Sequence, residues 1–167
     1  MQKEKSELSM DLEQLYQFDG ENDPKILVSV CGHIFDVSEN KRLYGPGKGY
    51  AFTAGHDITF MLAKMSLSEK DLNRVHFQLS DQEKDVLVSW ILSYLSKYPV
   101  VGKVKGLEDL CEEEWTRGQE KFAKRETPNL PFSSQKIGKE QPTDSTQTDS
   151  GEKAKKPWFS WLGGFLK

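Results

Sequence analysis

A chain of 167 residues with 23 basic and 26 acidic side chains carries a net charge of −3, and this length allows one compact domain with extensions. The first hundred positions hold no extended Lys/Arg patch, so nucleic acid is not an expected partner. Cys31 and Cys111 stand far apart, fit no metal-ligand spacing and make no disulfide framework, so a reducing, intracellular setting is expected.

Residues 1–9 are charged and are expected to be disordered. A helix then starts. Asp11 caps it with Gln14 three residues on, and Met10 and Leu15 sit where a hydrophobic staple closes. Leu12, Leu15 and Tyr16 share a face, and Phe18-Asp19-Gly20 ends the element. After the turn signal Asp23-Pro24, the β-branched run Lys25 to Val30 puts Ile26, Val28 and Val30 on one side of a strand. Cys31-Gly32-His33 then turns the chain into Ile34 to Val37, a β-hairpin.

Residues 43–57, LYGPGKGYAFTAGHD, break the pattern. Pro46 fixes φ, while Gly45, Gly47 and Gly49 admit unusual backbone angles, so the segment is a shaped loop. Tyr44 and Tyr50 flank its Gly-Pro core, and the loop delivers Tyr50 to one wall of a cavity between itself and the following helix. Two phenols at a cavity edge point to a ligand.

Beyond the loop, Ile58, Met61, Leu62 and Met65 recur at helical spacing behind an Asp57 cap. A short helix follows Ser68 and turns Leu72 and Val75 inward. Ser80 and Glu83 form a capping box ahead of the stripe Leu87, Trp90, Ile91, Tyr94 and Leu95. Pro99 stops that helix, and Val100 to Val104 reads as a strand returning to the sheet. Strands first, a helical insertion over the pocket and a closing strand make an α+β domain over 10–106.

Residues 107–126 read as an accessory amphipathic helix on which Leu107, Leu110, Cys111, Trp115 and Phe122 trace a loose stripe. Its acids lead and its bases trail, as the helix dipole favours, and the carboxylates of 108–114 read as a solvated face. Residues 127–156 have the composition of a disordered linker. The tail 157–167 is Trp-rich; if helical it gathers Trp158, Trp161, Leu162, Phe165 and Leu166 on one face behind Lys153, Lys155 and Lys156. Such a face suits bilayer headgroups or a docking partner. No stretch approaches the roughly 20 apolar residues of a membrane span, and the first residues lack a secretion signal's hydrophobic core. Membrane contact is therefore expected to be peripheral, through Trp158, Phe159, Trp161, Leu162, Phe165 and Leu166.

Phe18-Asp19-Gly20, Phe35-Asp36-Val37, Tyr44-Gly45-Pro46 with Tyr50, Ala54-Gly55-His56-Asp57, and Lys97-Tyr98-Pro99 ahead of Gly102 follow one another in order. This series resembles the membrane-associated progesterone receptor family, a haem- and steroid-binding branch of the cytochrome b5-like fold. The resemblance implies a small sheet with helices forming the pocket, haem b as cofactor, and Tyr50 as axial ligand of the haem iron. It implies that Tyr44, Lys97 and Tyr98 surround the haem. It further implies a steroid or lipid ligand and partnership with haem-thiolate monooxygenases in sterol or lipid metabolism, or haem handling.

The residue chemistry is compatible with that expectation. Ferric iron is a hard cation, and a tyrosine phenolate is a known haem ligand. A phenol with pKa near 10 needs the metal's own charge or a nearby cation to ionise at neutral pH, and Lys97 is the candidate cation. One phenolate leaves the opposite haem face open to a small ligand or to a second haem, and the resemblance implies a haem-mediated homodimer formed in this way. Taken singly, each tyrosine reads as a half-buried loop aromatic; together with the loop and the family pattern they favour haem.

Electron-carrying cytochrome b5 has its first axial histidine in a His-Pro-Gly-Gly loop, where this chain reads Tyr44-Gly45-Pro46-Gly47. His56 and His76 are then surface or capping residues, and His33 a turn residue. No nucleophile dyad, Walker loop or haem-attachment motif appears. The reading is a noncatalytic haem-binding protein, cytoplasmic or peripheral on the endoplasmic reticulum or another organelle membrane. The alternative is a haem-independent lipid-binding or protein-interaction adaptor.

Overall fold

The computed structural model describes residues 7–130. The chain divides into two units, Met1–Asn129 and Leu130–Lys167, and every element below belongs to the first. The Trp-rich tail with Trp158, Phe159, Trp161, Leu162, Phe165 and Leu166 lies outside the described residues, as does nearly all of the expected linker.

Strand β1 is Leu8–Met10 and helix α1 is Leu12–Leu15. The capping box is present as expected: Asp11 Oδ1 accepts from the Gln14 N–H at 2.8 Å, and Gln14 Oε1 accepts from the Asp11 N–H at 3.0 Å. Two expectations fail here. Leu8 and Ser9 belong to a strand rather than a disordered N-terminus, and Tyr16 is 51% exposed instead of sharing the buried face of Leu15.

Strands β2 (Leu27–Val30) and β3 (His33–Asp36) form the expected hairpin, with Leu27 opposite Asp36 and Val30 opposite His33. Cys31 and Gly32 both have positive φ, 52° and 72°, which matches the right-handed strand twist in a two-residue turn. All four residues of β2 are buried, so the strand is covered on both faces rather than on one. Ser29 and Asp57 explain the second face: Ser29 Oγ donates to Asp57 Oδ2 at 2.6 Å.

The sheet order is β1-β4-β3-β2, where β4 is Val100–Val104. It runs antiparallel to β3 and parallel to β1, with a register irregularity at Ile34/Phe35. Gly102 stands opposite Leu8, and a side chain there would collide with the Leu8 carbonyl. Met10, Leu15, Leu27, Ile34 and Val104 form a core cluster joined by Leu107.

The motif Ala54-Gly55-His56-Asp57 does not open a helix. It runs along β2: Gly55 N–H donates to Leu27 O at 2.7 Å, Ser29 N–H to His56 O at 2.9 Å, and Ile58 N–H to Ser29 O at 2.9 Å. Helix α3 begins afterwards, at Thr59–Lys64, and Asp57 Oδ1 still accepts from its first N–H at 3.1 Å. Burial raises the Asp57 carboxyl, and hydrogen bonds from Ser29 and Thr59 oppose the shift. The short helix expected after Ser68 is present as the 3-10 helix Glu69–Asp71, capped by Ser68.

The long helix α4 spans Asp81–Lys97 with the expected Ser80/Glu83 capping box and buries Leu87, Trp90, Ile91 and Tyr94. Helix α5 is Glu112–Ala123. It starts five residues later than expected because Cys111 adopts a left-handed φ of 54°. Phe122 is 46% exposed, whereas Glu114, expected in a solvated face, is only 6% exposed with Lys84 Nζ at 4.0 Å. His33 is a strand residue rather than a turn residue, and its ring stacks on Trp115 at 3.6 Å and 8°. Burial, then Lys103, pull the His33 imidazole down to about 4, so it is neutral near pH 7.

Gly118 lets α5 lie against α4, because a Cβ there would overlap Ile91 Cγ2. Gly118→Val is expected to lower unfolding stability by about 1–3 kcal/mol through overpacking. Urea denaturation checks this; an unchanged midpoint would show that the helices do not approach so closely.

Candidate functional site

The functional loop is built by a short helix that the sequence did not announce. Helix α2, Lys41–Tyr44, ends in Tyr44, and Gly45 caps it with its N–H donating to Lys41 O at 3.0 Å. A Cβ on Gly45 would come within 2.5 Å of that same carbonyl, so glycine permits the tight exit. Gly47 takes φ 74°, and Lys48 N–H returns to Gly45 O at 3.0 Å. The loop then closes on itself: Tyr50 N–H donates to Leu43 O at 3.0 Å, and Tyr50 O accepts from Thr53 Oγ1 at 2.7 Å.

Tyr44 is buried, and its hydroxyl shares a 2.7 Å hydrogen bond with the hydroxyl of Tyr94. Tyr50 lies 6.0 Å from Tyr44, ring centre to ring centre, and Tyr98 lies 6.2 Å from Tyr44 on another side. Tyr98 terminates α4, its N–H donating to Tyr94 O at 2.9 Å, while its hydroxyl accepts from Asn40 Nδ2 at 2.9 Å. The end of α4 thus does fold back onto the loop. Phe35 closes the cluster edge-on to Tyr94 at 5.4 Å.

The sequence reading missed two members of this constellation. Tyr94 was assigned to the apolar stripe of α4 and Asn40 to nothing. A signal for Tyr94 existed, since Tyr94 and Tyr98 stand four apart and must share a helix face. Nothing in the sequence marked Asn40, whose side chain makes no helix cap and reaches Tyr98 instead.

Burial raises every phenol in the cluster. It drives Tyr44 well above the ordinary range, reinforced by Tyr94 and Tyr98, and raises Tyr94 against the opposing hydrogen bond from Tyr44. Tyr98 rises through burial, offset by Asn40 and Tyr44. Half-buried Tyr50 is pushed up to about 12 by burial. Lys97, exposed overall at the end of α4, has its ammonium pulled down to about 8 by partial desolvation. At neutral pH the cluster is therefore a set of neutral phenols, while Lys97, the chain neighbour of Tyr98, is largely protonated; burial alone accounts for the Tyr50 shift.

This donor set fits ferric haem. A phenolate is a hard anionic oxygen suited to ferric iron, and only a strong local positive charge would displace the proton that Tyr50 holds. Gly47 and Gly49 are exposed, and apart from their chain neighbours nothing lies within 4 Å of where a Cβ would stand. His56 is occupied differently: Nδ1 pairs with Asn73 Nδ2 at 2.9 Å, and its ring packs edge-on to Tyr16 at 5.3 Å. Among the described residues no group of three or more His, Cys, Asp or Glu side chains could hold a metal ion.

Two measurements check the cluster. Tyr94→Phe strips a buried hydroxyl of its partner and is expected to cost about 1–3 kcal/mol of unfolding stability; no loss would contradict the Tyr44–Tyr94 hydrogen bond. The folded phenols, Tyr50 at about 12, ionise above the unfolded value of about 10. Their stabilising contribution is fully present below about pH 10 and is lost as pH rises through about 12. Denaturation midpoints should fall over that window, and a flat profile would contradict the burial.

Comparison with known proteins agrees with the fold. The model of the cytochrome b5-like haem/steroid-binding domain matches residues 11–105, more than half the chain. Membrane steroid-binding protein 1 of Arabidopsis thaliana is 44% identical over 94 residues, covering 56% of this chain and 43% of that protein. Membrane-associated progesterone receptor component 2 of Homo sapiens is 35% identical over 96 residues, again 56% of this chain and 43% of the relative. The chain therefore matches less than half the length of these two relatives. A solved hypothetical protein of Arabidopsis thaliana with a cytochrome b5 like fold superposes with a TM-score of 0.55 at 34% identity, covering 62% of this chain and 96% of the other. The chain belongs to the family of cytochrome b5-like haem/steroid-binding domains, in the branch of membrane steroid-binding proteins and membrane-associated progesterone receptor components.

Proposed function

We propose that this protein is a noncatalytic haem-binding module that takes ferric haem b with the Tyr50 phenolate as axial ligand. One observation carries the reading: Tyr50 stands half-buried at the exit of a glycine-rich loop, backed by Tyr44 at 6.0 Å and bordered by the open backbone of Gly47 and Gly49. Tyr44 and Tyr98 would wall the porphyrin, and Lys97 would supply the positive charge that favours ionised Tyr50. Bound there, haem would provide a ferric centre with one open coordination face. A phenolate stabilises ferric over ferrous iron, which suits haem handling or support of haem-thiolate monooxygenases in sterol and lipid metabolism better than rapid electron shuttling.

The open face admits a small ligand or a second haem, and with it a haem-mediated homodimer. The location that goes with this role is cytoplasmic, peripheral on the endoplasmic reticulum or another organelle membrane. Among the described residues no helix is long and apolar enough to cross a membrane.

A second reading rests on the protonated state of Tyr50. A phenol held up to about 12 is a neutral donor, able to hydrogen-bond a steroid ketone or hydroxyl without any metal. The relatives named as steroid-binding proteins support this alternative.

Titration of the full chain with hemin separates the two. The haem reading predicts a saturable Soret band of predominantly high-spin character that shifts in Tyr50→Phe, with affinity reduced about tenfold or more. Absence of a Soret band together with saturable steroid binding would replace it with the second reading. Sedimentation of the hemin complex as a monomer at high concentration would remove the dimer.

A further inference from the structure

We propose that Cys31 and Cys111 form a reversible disulfide that staples the β2–β3 turn to the start of α5. The sequence sets these thiols far apart, but the fold makes them neighbours. Cys31 is the first residue of the hairpin turn and fully buried; Cys111 directly precedes α5 and is partly exposed. After burial, Cys111 is the group that most raises the Cys31 thiol.

The approach is enforced from both flanks rather than by a side-chain rotamer alone. Two residues beyond Cys31, the His33 ring stacks on Trp115, which lies one helical turn beyond Cys111. Gly32 faces the Leu107 carbonyl so closely that any side chain would collide with it. Gly32 O also accepts from Val104 N–H at 2.8 Å, and Cys31 N–H donates to Thr59 Oγ1 at 2.7 Å. The backbone on each side is thus held, which keeps the two thiols in one neighbourhood; closure requires Cα atoms within about 7 Å. A metal role is less suited to the pair, since the described residues supply no third His, Cys, Asp or Glu ligand beside it.

The two thiols differ in access, which orders the chemistry. Burial, reinforced by Cys111, Asp57 and Glu114, holds Cys31 in its protonated form, so a disulfide oxidant such as oxidised glutathione meets Cys111 first. Cys111 Sγ attacks one glutathione sulfur; the protein–glutathione S–S bond forms, the glutathione S–S bond breaks, and one glutathione leaves with the Cys111 proton. Cys31 loses its proton, and its thiolate attacks Cys111 Sγ and breaks the mixed S–S bond. The second glutathione takes up the proton and leaves as thiol; the raised Cys31 thiol makes this the slow step. Two protein thiols are oxidised and one oxidised glutathione is reduced to two thiols. The product ties α5 covalently to the sheet, fixing Trp115 over Phe35, which it meets edge-on at 6.0 Å.

The test equilibrates the full chain in glutathione buffers of graded redox ratio, quenches with acid, and blocks remaining thiols with N-ethylmaleimide before intact-mass and peptide mass spectrometry. The expected oxidised species carries no maleimide, is lighter by two hydrogen atoms, yields a crosslinked Cys31–Cys111 peptide, and reverts with dithiothreitol. Amides of α5 should exchange about tenfold more slowly in that species. Cys31→Ala should stop at the glutathione adduct on Cys111, and Cys111→Ser should take up no glutathione. Two maleimides at every redox ratio, a glutathione adduct on wild-type Cys111 that never closes, a crosslink only between chains, or unchanged α5 exchange would each overturn the proposal.

Discussion

The hydrogen bond between the hydroxyls of Tyr44 and Tyr94 is the contact on which the candidate site depends. It joins the last residue of α2 to the last turn of α4 at 2.7 Å, with both side chains buried. Each hydroxyl satisfies the other where water does not reach, so the pair stays neutral and holds its geometry. Tyr98 and Asn40 repeat the device one helical turn further on. Two crossings between the same helices then fix the α2 exit, and with it the position of Tyr50, against α4. The loop needs this anchoring because its glycine-rich chain loses much conformational entropy on ordering, which these contacts offset.

Much of the fold was legible because its signals are local. Asp11 with Gln14 and Ser80 with Glu83 satisfy helix N–H groups three residues away, so the sequence alone reveals them. The hairpin and the apolar stripe of α4 are equally local. What stayed hidden is long-range. Leu8–Met10 is too short to read as a strand and becomes one only by pairing with β4 from the far end of the domain. Asp57 could be read as a helix cap, but that Ala54–Asp57 covers the edge of β2 could not. Glu114 seemed a surface acid because its neighbours are, and only the docking of α5 onto α4 removes it from water.

The site shows the same division. Tyr44 and Tyr50 could be picked out by their loop setting and Tyr98 through the family resemblance, whereas Tyr94 carries two roles in one side chain. Its ring belongs to the apolar face of α4 and its hydroxyl to the phenol cluster, and a pattern that scores hydrophobicity sees the first role alone. The same blindness applies to Cys31 and Cys111, whose proximity is a property of the hairpin turn meeting the N-terminus of α5. Burial that keeps the tyrosines protonated bears on both ligand chemistries proposed for the site. The phenol that would yield its proton to ferric iron would, without iron, donate a hydrogen bond to a neutral ligand.

Resonance Raman spectroscopy of the ferric haem complex, with excitation in a phenolate-to-iron charge-transfer band, tests the central claim most directly. The account predicts enhanced tyrosinate ring modes with a high-spin ferric marker pattern. A low-spin pattern of two nitrogen ligands without tyrosinate modes would place the iron on histidine and contradict it.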